Sequence, residues 1–337
     1  MHSLGGPRGK RRSALESALI EPPRRRALDD GPAVLVVNTR SRSGREAFQT
    51  ARAALTARGV TLVESYALSR TERLEHVVNR MADLGARSII VGGGDGTMSC
   101  AVARFLGRDL TLGVLPLGTG NDFARSLGIP ADIEAACDII AGGYTARVDV
   151  GLANGRPFLN AASLGLATAI AKRLTKRLKQ RAGKLAYPVA AAAEVKDLQH
   201  FHLKLKADEQ ELELDALQLV VGNGRYHGAG NMVSPDATLD DRRLHVYAIS
   251  APSAENGREG TGLGHLQDLA TLARVALSLR SGEHVEHPAV TSLHAARLYV
   301  ETDPVLELNA DGELIGRTPM RFEIAPAALR VFAPAPS

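Results

Sequence analysis

The stretch that most constrains this chain is Ser88-Ile89-Ile90-Val91-Gly92-Gly93-Gly94-Asp95-Gly96-Thr97, an apolar strand-like run that passes directly into four glycines, an aspartate and a threonine. Residues Met98 to Leu106 carry no Gly or Pro and set Val102, Phe105 and Leu106 on one face, which predicts a helix. Strand, tight loop and helix in that order form a phosphate site. Glycines let the backbone approach a ligand, and a helix N-terminus offers N–H groups and partial positive charge to an anion. No Gly-Lys-Ser/Thr follows at Walker A spacing. The dinucleotide fingerprint fails too, because it would need glycine at Thr97 or Ser99.

The flanking sequence repeats the pattern. Ala33 to Val37 is an apolar strand ending at Asn38-Thr39-Arg40, with a helix predicted over Glu46 to Arg58. Val60 to Tyr66 reads as a second strand, and Arg70 to Leu84 as a helix with Leu74, Val77, Val78 and Met81 inward. Thr111 to Leu115 leads into Pro116-Leu117-Gly118-Thr119-Gly120-Asn121-Asp122, a second glycine loop that opens a helix. Such alternation predicts a parallel sheet with ligand loops at the carboxyl ends of its strands. Two glycine loops from successive strands could converge on one polyphosphate.

Past about Ala146 the pattern becomes period two, as in Phe201 to Lys206, Glu211 to Leu214 and Leu244 to Ile249. This predicts an antiparallel sandwich or barrel, with a boundary near residue 147. Glu255 to Gly264 reads as a loop and Leu266 to Leu279 as a helix. Ala167 to Leu185 carries Lys172, Arg173, Lys176, Arg177, Lys179, Arg181 and Lys184 with Ile170, Leu174, Leu178 and Leu185 at near-helical spacing. Two readings of 167–185 stay open: a basic helix in a membrane interface, or one packing its Leu stripe on the sandwich.

The net charge is +4, but residues 1–26 hold seven Lys or Arg against two Glu, a balance of +5 that leaves the rest at −1. The high isoelectric point thus belongs to a basic, disordered-looking tail over 1–30. It argues against a nucleic-acid-binding fold. The arm could touch anionic lipid or be a solvated leader. No signal-peptide core follows it, and no apolar run reaches the ~20 residues of a membrane span. The expectation is a cytoplasmic protein, with peripheral contact at the inner face of the membrane left open. Cys100 and Cys137 have no metal-binding spacing and are expected to be reduced core residues.

Together, Gly93 to Thr97, Pro116 to Asp122, Gly222-Asn223-Gly224-Arg225-Tyr226-His227-Gly228-Ala229-Gly230 with Ser234 to Ala237, and Asp311-Gly312-Glu313 resemble the diacylglycerol kinase catalytic-domain family. The likeness is to its bacterial lipid kinases, relatives of sphingosine and ceramide kinases, and covers roughly residues 31 to 335. It implies an α/β nucleotide domain like that of 6-phosphofructokinases and NAD kinases over 31–146. An antiparallel β-sandwich lipid-binding domain would follow over 147–324, with 325–337 returning to the first. The implied activity is ATP-dependent transfer of a γ-phosphate to the hydroxyl of a membrane lipid such as diacylglycerol. Phosphatidylglycerol, a sphingoid base and ceramide are alternative acceptors.

Carried over by position, the resemblance implies ATP contacts at Asn38, Gly92, Gly93, Gly94, Asp95, Gly96, Thr97, Met98, Gly118, Thr119 and Asn121. It implies a proton acceptor at Glu313. It also implies Mg²⁺ on the second domain at Thr238, Asp241 and Arg243, the first and last through carbonyls. Asp95, among phosphates, is assigned to metal and nucleotide positioning, and the reverse assignment, Asp95 as base, stays open. The sequence departs from the family at Thr39, where Pro is common, and at Arg242, where Gly is usual. NAD kinase shares the first loop, but the second matches the lipid kinases. A non-catalytic nucleotide- or membrane-binding regulator is the rival from another class, disfavoured because it would need neither Asp95 nor Glu313.

Overall fold

A computed structural model describes residues 31–40, 44–69, 72–166, 168, 200–255, 257 and 261–336. The basic tail and nearly all of 167–185, with every Lys and Arg of its basic face, lie outside the described residues. The first part is a parallel sheet made of β1 (Ala33–Asn38), β2 (Leu62–Leu68), β3 (Ser88–Gly93) and β4 (Thr111–Pro116), in the order β2-β1-β3-β4. Helices α1 (Gly44–Ala57), α2 (Glu72–Asp83), α3 (Asp95–Val102), α4 (Asp122–Ser126) and α5 (Ile133–Gly142) connect and cover it. β1, β3 and β4 carry runs of Val, Ile and Leu and are buried along nearly their whole length, because both faces are covered. Val34, Leu35, Ile89, Ile90 and Leu112 are fully buried, each stabilising the core by about 1.5–3 kcal/mol. The strand order reverses between β1 and β3, and at such a point the carboxyl ends of two strands diverge and leave a crevice.

The rest is β-rich and mainly antiparallel: β5 (Thr145–Ala153), β6 (Arg156–Phe158), β7 (Ala161–Gly165), β8 (Phe201–Ala207), β9 (Gln210–Gly222), β10 (Tyr226–His227), β11 (Asn231–Met232), β12 (Leu244–Ser250), β13 (Val290–Ala295), β14 (Arg297–Asp303), β15 (Glu307–Ala310), β16 (Glu313–Arg317) and β17 (Met320–Phe332). A helix, α6 (Gly262–Ser278), lies between β12 and β13. Alternation inside β8 puts Phe201, Leu203 and Leu205 in a second apolar core with Leu164, Leu219, Val246, Val300 and Phe322. β17 ties the two parts together. Met320 pairs with Val300 of β14, and Val331 pairs in parallel with Leu112 of β4, while β5 runs antiparallel beside most of its length. A bulge with Ala327 at φ 50° lets β17 turn from one region to the other.

Three local expectations change. The third helix begins at Asp95, so Asp95, Gly96 and Thr97 are its first turn; Gly94, extended at φ −91°, is its N-cap, and regular helix ends at Val102. β5 passes through residue 147 without a break, because its partner β17 also spans both regions. Cys137 is buried, and burial pushes its thiol up to about 11, but Cys100 is only half-buried and lines a cavity.

Candidate active site

The two glycine loops touch. A Cβ on Gly118 would lie 2.5 Å from the Gly94 Cα, and one on Gly93 would lie 2.5 Å from the Thr97 Oγ1. The first contact presses the loops together, and the second lets Thr97 fold back over the end of β3. Asn121, at φ 52°, closes the second loop on itself: its Oδ1 accepts the Gly118 N–H at 2.8 Å, and its Nδ2 donates to the Gly118 carbonyl at 3.0 Å. Asn supplies the left-handed conformation that most residues avoid.

Asp95 joins the loops. Its Oδ1 accepts the Phe123 N–H at 3.2 Å and the Asn160 Nδ2 at 3.4 Å, while Oδ2 stands where a Cβ on Gly120 would lie 2.9 Å away. Asn38, at the end of β1, donates its Nδ2 to the Thr97 Oγ1 at 3.0 Å. Three strand ends are thus stitched by side chains.

A second bracket holds the sandwich against these loops. Asp122 accepts the N–H groups of Ala229 and Gly230, both at 2.8 Å. Burial pushes this carboxyl above its usual range, with nearby Asp95 adding to the shift and the two N–H bonds opposing it. Asp311, at φ 48° beside Gly312 at φ 92°, accepts the N–H groups of Leu159 at 2.7 Å, Asn160 at 2.9 Å and Ala161 at 3.3 Å, and the Ser99 hydroxyl. Burial raises its pKa too, against those donors. Asp311 therefore pins the Asp-Gly-Glu corner to α3.

Glu313 follows that corner and is exposed. Its Oε1 lies 3.9 Å from the Cys100 Sγ, and it lines a cavity of about 620 Å³ with Asn38, Arg40, Glu75, Gly94, Gly96, Thr97 and Cys100. The cavity opens at the β1/β3 reversal and brings four of the eleven residues expected to contact ATP, Asn38, Gly94, Gly96 and Thr97, together with the expected proton acceptor. Asp95 is not in its wall, and neither are Thr119, Asn121 or Gly118, the last of which packs on Gly94. Gly92 and Met98 are buried beneath the loop. Sequence reasoning missed Arg40, Glu75 and Cys100, which belong to no motif, and gave no role to Asp122 or Asp311, which do.

Thr238, Asp241 and Arg243 form a separate loop. Asp241 accepts the Arg243 N–H on Oδ1 at 2.9 Å and the Thr238 N–H on Oδ2 at 3.1 Å, and Oδ2 pairs with the His245 Nε2 at 2.7 Å. Arg242, in the position where the family has Gly, sits at φ 59°. Beside it the Asp240 Oδ1 is buried without a hydrogen-bond partner. Asp149 accepts the Arg242 N–H, and burial, reinforced by Asp241 and Asp240, raises its pKa. An oxygen-rich loop with an unsatisfied carboxylate oxygen suits a hard cation. Among the described residues, no group of three or more His, Cys, Asp or Glu is placed to hold a metal, so backbone carbonyls would have to complete the shell.

A glycine loop that shares a cavity with a carboxylate and is braced by a second glycine loop, on a parallel sheet backed by a β-sandwich, suits a phosphotransferase. Comparison with known proteins agrees. Residues 32–153 match the diacylglycerol kinase catalytic domain, and residues 161–333 match the YegS C-terminal NAD kinase beta sandwich-like domain. A "Probable lipid kinase YegS-like" protein of Pseudomonas aeruginosa is 34% identical over 265 residues, 77% of this chain and 81% of that one. A "Diacylglycerol kinase" of Staphylococcus haemolyticus is 31% identical over 236 residues, 69% of this chain and 67% of that one. A crystal structure of a diacylglycerol kinase from Bacillus anthracis superposes with a TM-score of 0.67 at 22% identity, covering 90% of this chain and 97% of that one, which concerns the fold alone. A second structure from that organism, with the same coverage, reaches 0.71 at 25%. The chain belongs to the diacylglycerol kinase catalytic-domain family, in its bacterial YegS-like branch, and is a lipid kinase.

Proposed function

We propose that this lipid kinase transfers the γ-phosphate of ATP to the primary hydroxyl of a glycerolipid such as diacylglycerol. The observation that carries the proposal is the meeting of Glu313 with Asn38, Gly94, Gly96 and Thr97 in one cavity. Phosphoryl transfer needs an acceptor oxygen in line with the γ-phosphate and positive or N–H groups around the phosphoryl oxygens. The first turn of α3 presents its N-terminus to the cavity, where phosphate is favoured. Arg40 adds a guanidinium to the same wall. Glu313, exposed and oriented by the Asp311 bracket, takes the proton of the lipid hydroxyl. Asp95, held by Phe123 and Asn160, keeps the loops in register and is a positioning residue. A divalent cation, when bound with the nucleotide, supplies charge neutralisation on the β- and γ-phosphates. Asp240, Asp241 and the carbonyls of Thr238 and Arg243 would hold a second cation, which offsets three neighbouring carboxylates and steadies that loop.

The test is incubation with γ-labelled ATP and, separately, diacylglycerol, phosphatidylglycerol, a sphingoid base, ceramide and NAD. Label in phosphatidic acid is expected. Label in a sphingoid or ceramide phosphate would change the acceptor, and label in NADP or in no product would overturn the reading.

A further inference from the structure

Helix α6 carries apolar residues on its outer side as well as its inner one. Gly264, Asp268, Thr271 and Val275 are its buried positions, while Leu263, Leu266 and Leu277 are 70%, 63% and 86% exposed. Ala270 and Ala273, also exposed, continue the stripe between them. The spacing alternates three and four residues, so all five lie along one side. The inner side of α6 packs Val275 with Leu272 and Leu279 on a third apolar core, and a helix covering a core normally leaves the opposite side polar.

The rotation of α6 is fixed by chemistry. Asp268, 1% exposed, accepts the Ser253 N–H on Oδ1 at 3.0 Å; its Oδ2 accepts the Ser253 hydroxyl at 2.6 Å and pairs with the His200 Nε2 at 2.6 Å. Turning the helix to bury its leucines would break that cluster and strand its partners inside the protein. The Leu and Ala stripe is therefore a held surface, and contiguous apolar surface of this kind marks an interaction site.

The charges around the stripe narrow the partner. Asp268 is the only acidic residue of α6, and it is buried, whereas Arg274 is exposed on the helix before its last turn and Arg280 just beyond its end. Among the described residues, the exposed acids Glu283 and Glu286 come after Arg280, and Glu283 accepts the Ser281 hydroxyl at 2.9 Å. An apolar stripe rimmed by Arg suits an anionic lipid interface, where leucines enter the acyl boundary and guanidinium groups meet headgroups. The helix also connects to the catalytic loops. The Leu279 carbonyl accepts the Met232 N–H at 2.8 Å, and two and three residues upstream of Met232 are Gly230 and Ala229, clasped by Asp122.

We propose that the outer face of α6 docks this kinase on an anionic bilayer, the surface that holds its substrate. The proposal rests on the lipid-kinase reading above. The chain contains no Trp, so Leu266→Trp creates a single fluorescent reporter. With vesicles of mixed phosphatidylglycerol and phosphatidylcholine, its emission should move to shorter wavelength and be quenched by brominated lipid. Leu84→Trp, at an exposed site after α2, should not respond. In flotation, the triple variant Leu263→Ser, Leu266→Ser, Leu277→Ser should lose at least about tenfold in vesicle-bound fraction. It should keep its turnover on water-dispersed dioctanoylglycerol and its melting temperature, because these side chains touch solvent. Unchanged Leu266→Trp emission, or triple-variant flotation equal to that of the parent chain, overturns the proposal. So does light scattering that shows a dimer which the triple variant dissolves, since the occupant is then a second copy. Vesicle-dependent emission without phosphorylation of any lipid would leave the docking face standing and remove the kinase reading instead.

Discussion

At the scale of single residues, the proposal separates two carboxylates that look alike in sequence. Glu313 is exposed at the cavity edge, whereas Asp95 is tied to Phe123 and Asn160. Glu313→Gln should therefore lower kcat by on the order of 10²-fold or more while leaving the melting temperature in place. Steady-state kinetics beside calorimetry checks both halves, and near-parental turnover would take Glu313 out of the reaction. His227 gives a pH prediction. Burial, with His284 adding a smaller effect, lowers its pKa from 6.5 to about 4, and its Nε2 faces the Tyr247 hydroxyl at 3.2 Å. The folded state refuses a proton that the unfolded chain accepts, so stability is lost as pH falls from 6.5 towards 4, by up to about 3 kcal/mol. Asp122, Asp149 and Asp311 act in the opposite sense, because their raised pKa values make the folded state take up protons first. Urea unfolding of the parent and of His227→Gln across that window checks the sign. An equal loss in both would assign the acid sensitivity elsewhere.

At the scale of elements, the glycines of the two loops do different work. Gly118→Ala puts a Cβ 2.5 Å from the Gly94 Cα and 2.8 Å from the Asn121 Oδ1, so the loops must part. Gly96 has nothing within 4 Å of its would-be Cβ and faces the cavity, so Gly96→Ala has room unless a ligand fills it. The expected outcome is a lower melting temperature and lost ATP binding for Gly118→Ala, but weaker ATP binding at unchanged melting temperature for Gly96→Ala. Isothermal titration beside thermal unfolding decides, and tight ATP binding by Gly96→Ala would place the phosphates elsewhere. The loops themselves were legible in the sequence because glycine, strand and helix signals are local. Gly94 packing on Gly118 was only an inference from adjacent strands. Arg40 and Cys100 were not legible as cavity residues, since their place depends on how β1, α3 and the Asp311 corner meet. The outward Leu face of α6 was hidden for a related reason: its inward face is set by Ser253 and His200, distant in sequence from Asp268.

At the scale of the whole molecule, period two against alternating strand and helix distinguishes the parallel from the antiparallel part, but says nothing about how strongly they are joined. β5 and β17 answer this. Val148, Val150, Leu329, Val331 and Phe332 are buried in the first core, while Ala153, Met320 and Phe322, on the same two strands, are buried in the second. Their pairing runs from Phe322 opposite Ala153 to Phe332 opposite Thr145. Unfolding one core therefore strips paired strand segments and their buried side chains from the other, which couples the two. The two regions should melt in one cooperative transition despite their separate apolar interiors. Val91→Ala, deep in the first core, should lower the midpoint by the same amount whether it is followed by a probe there or by a Trp placed at Tyr299 on β14. Two resolved transitions in calorimetry, or a shift confined to the first probe, would show that the paired strands let the regions unfold one at a time.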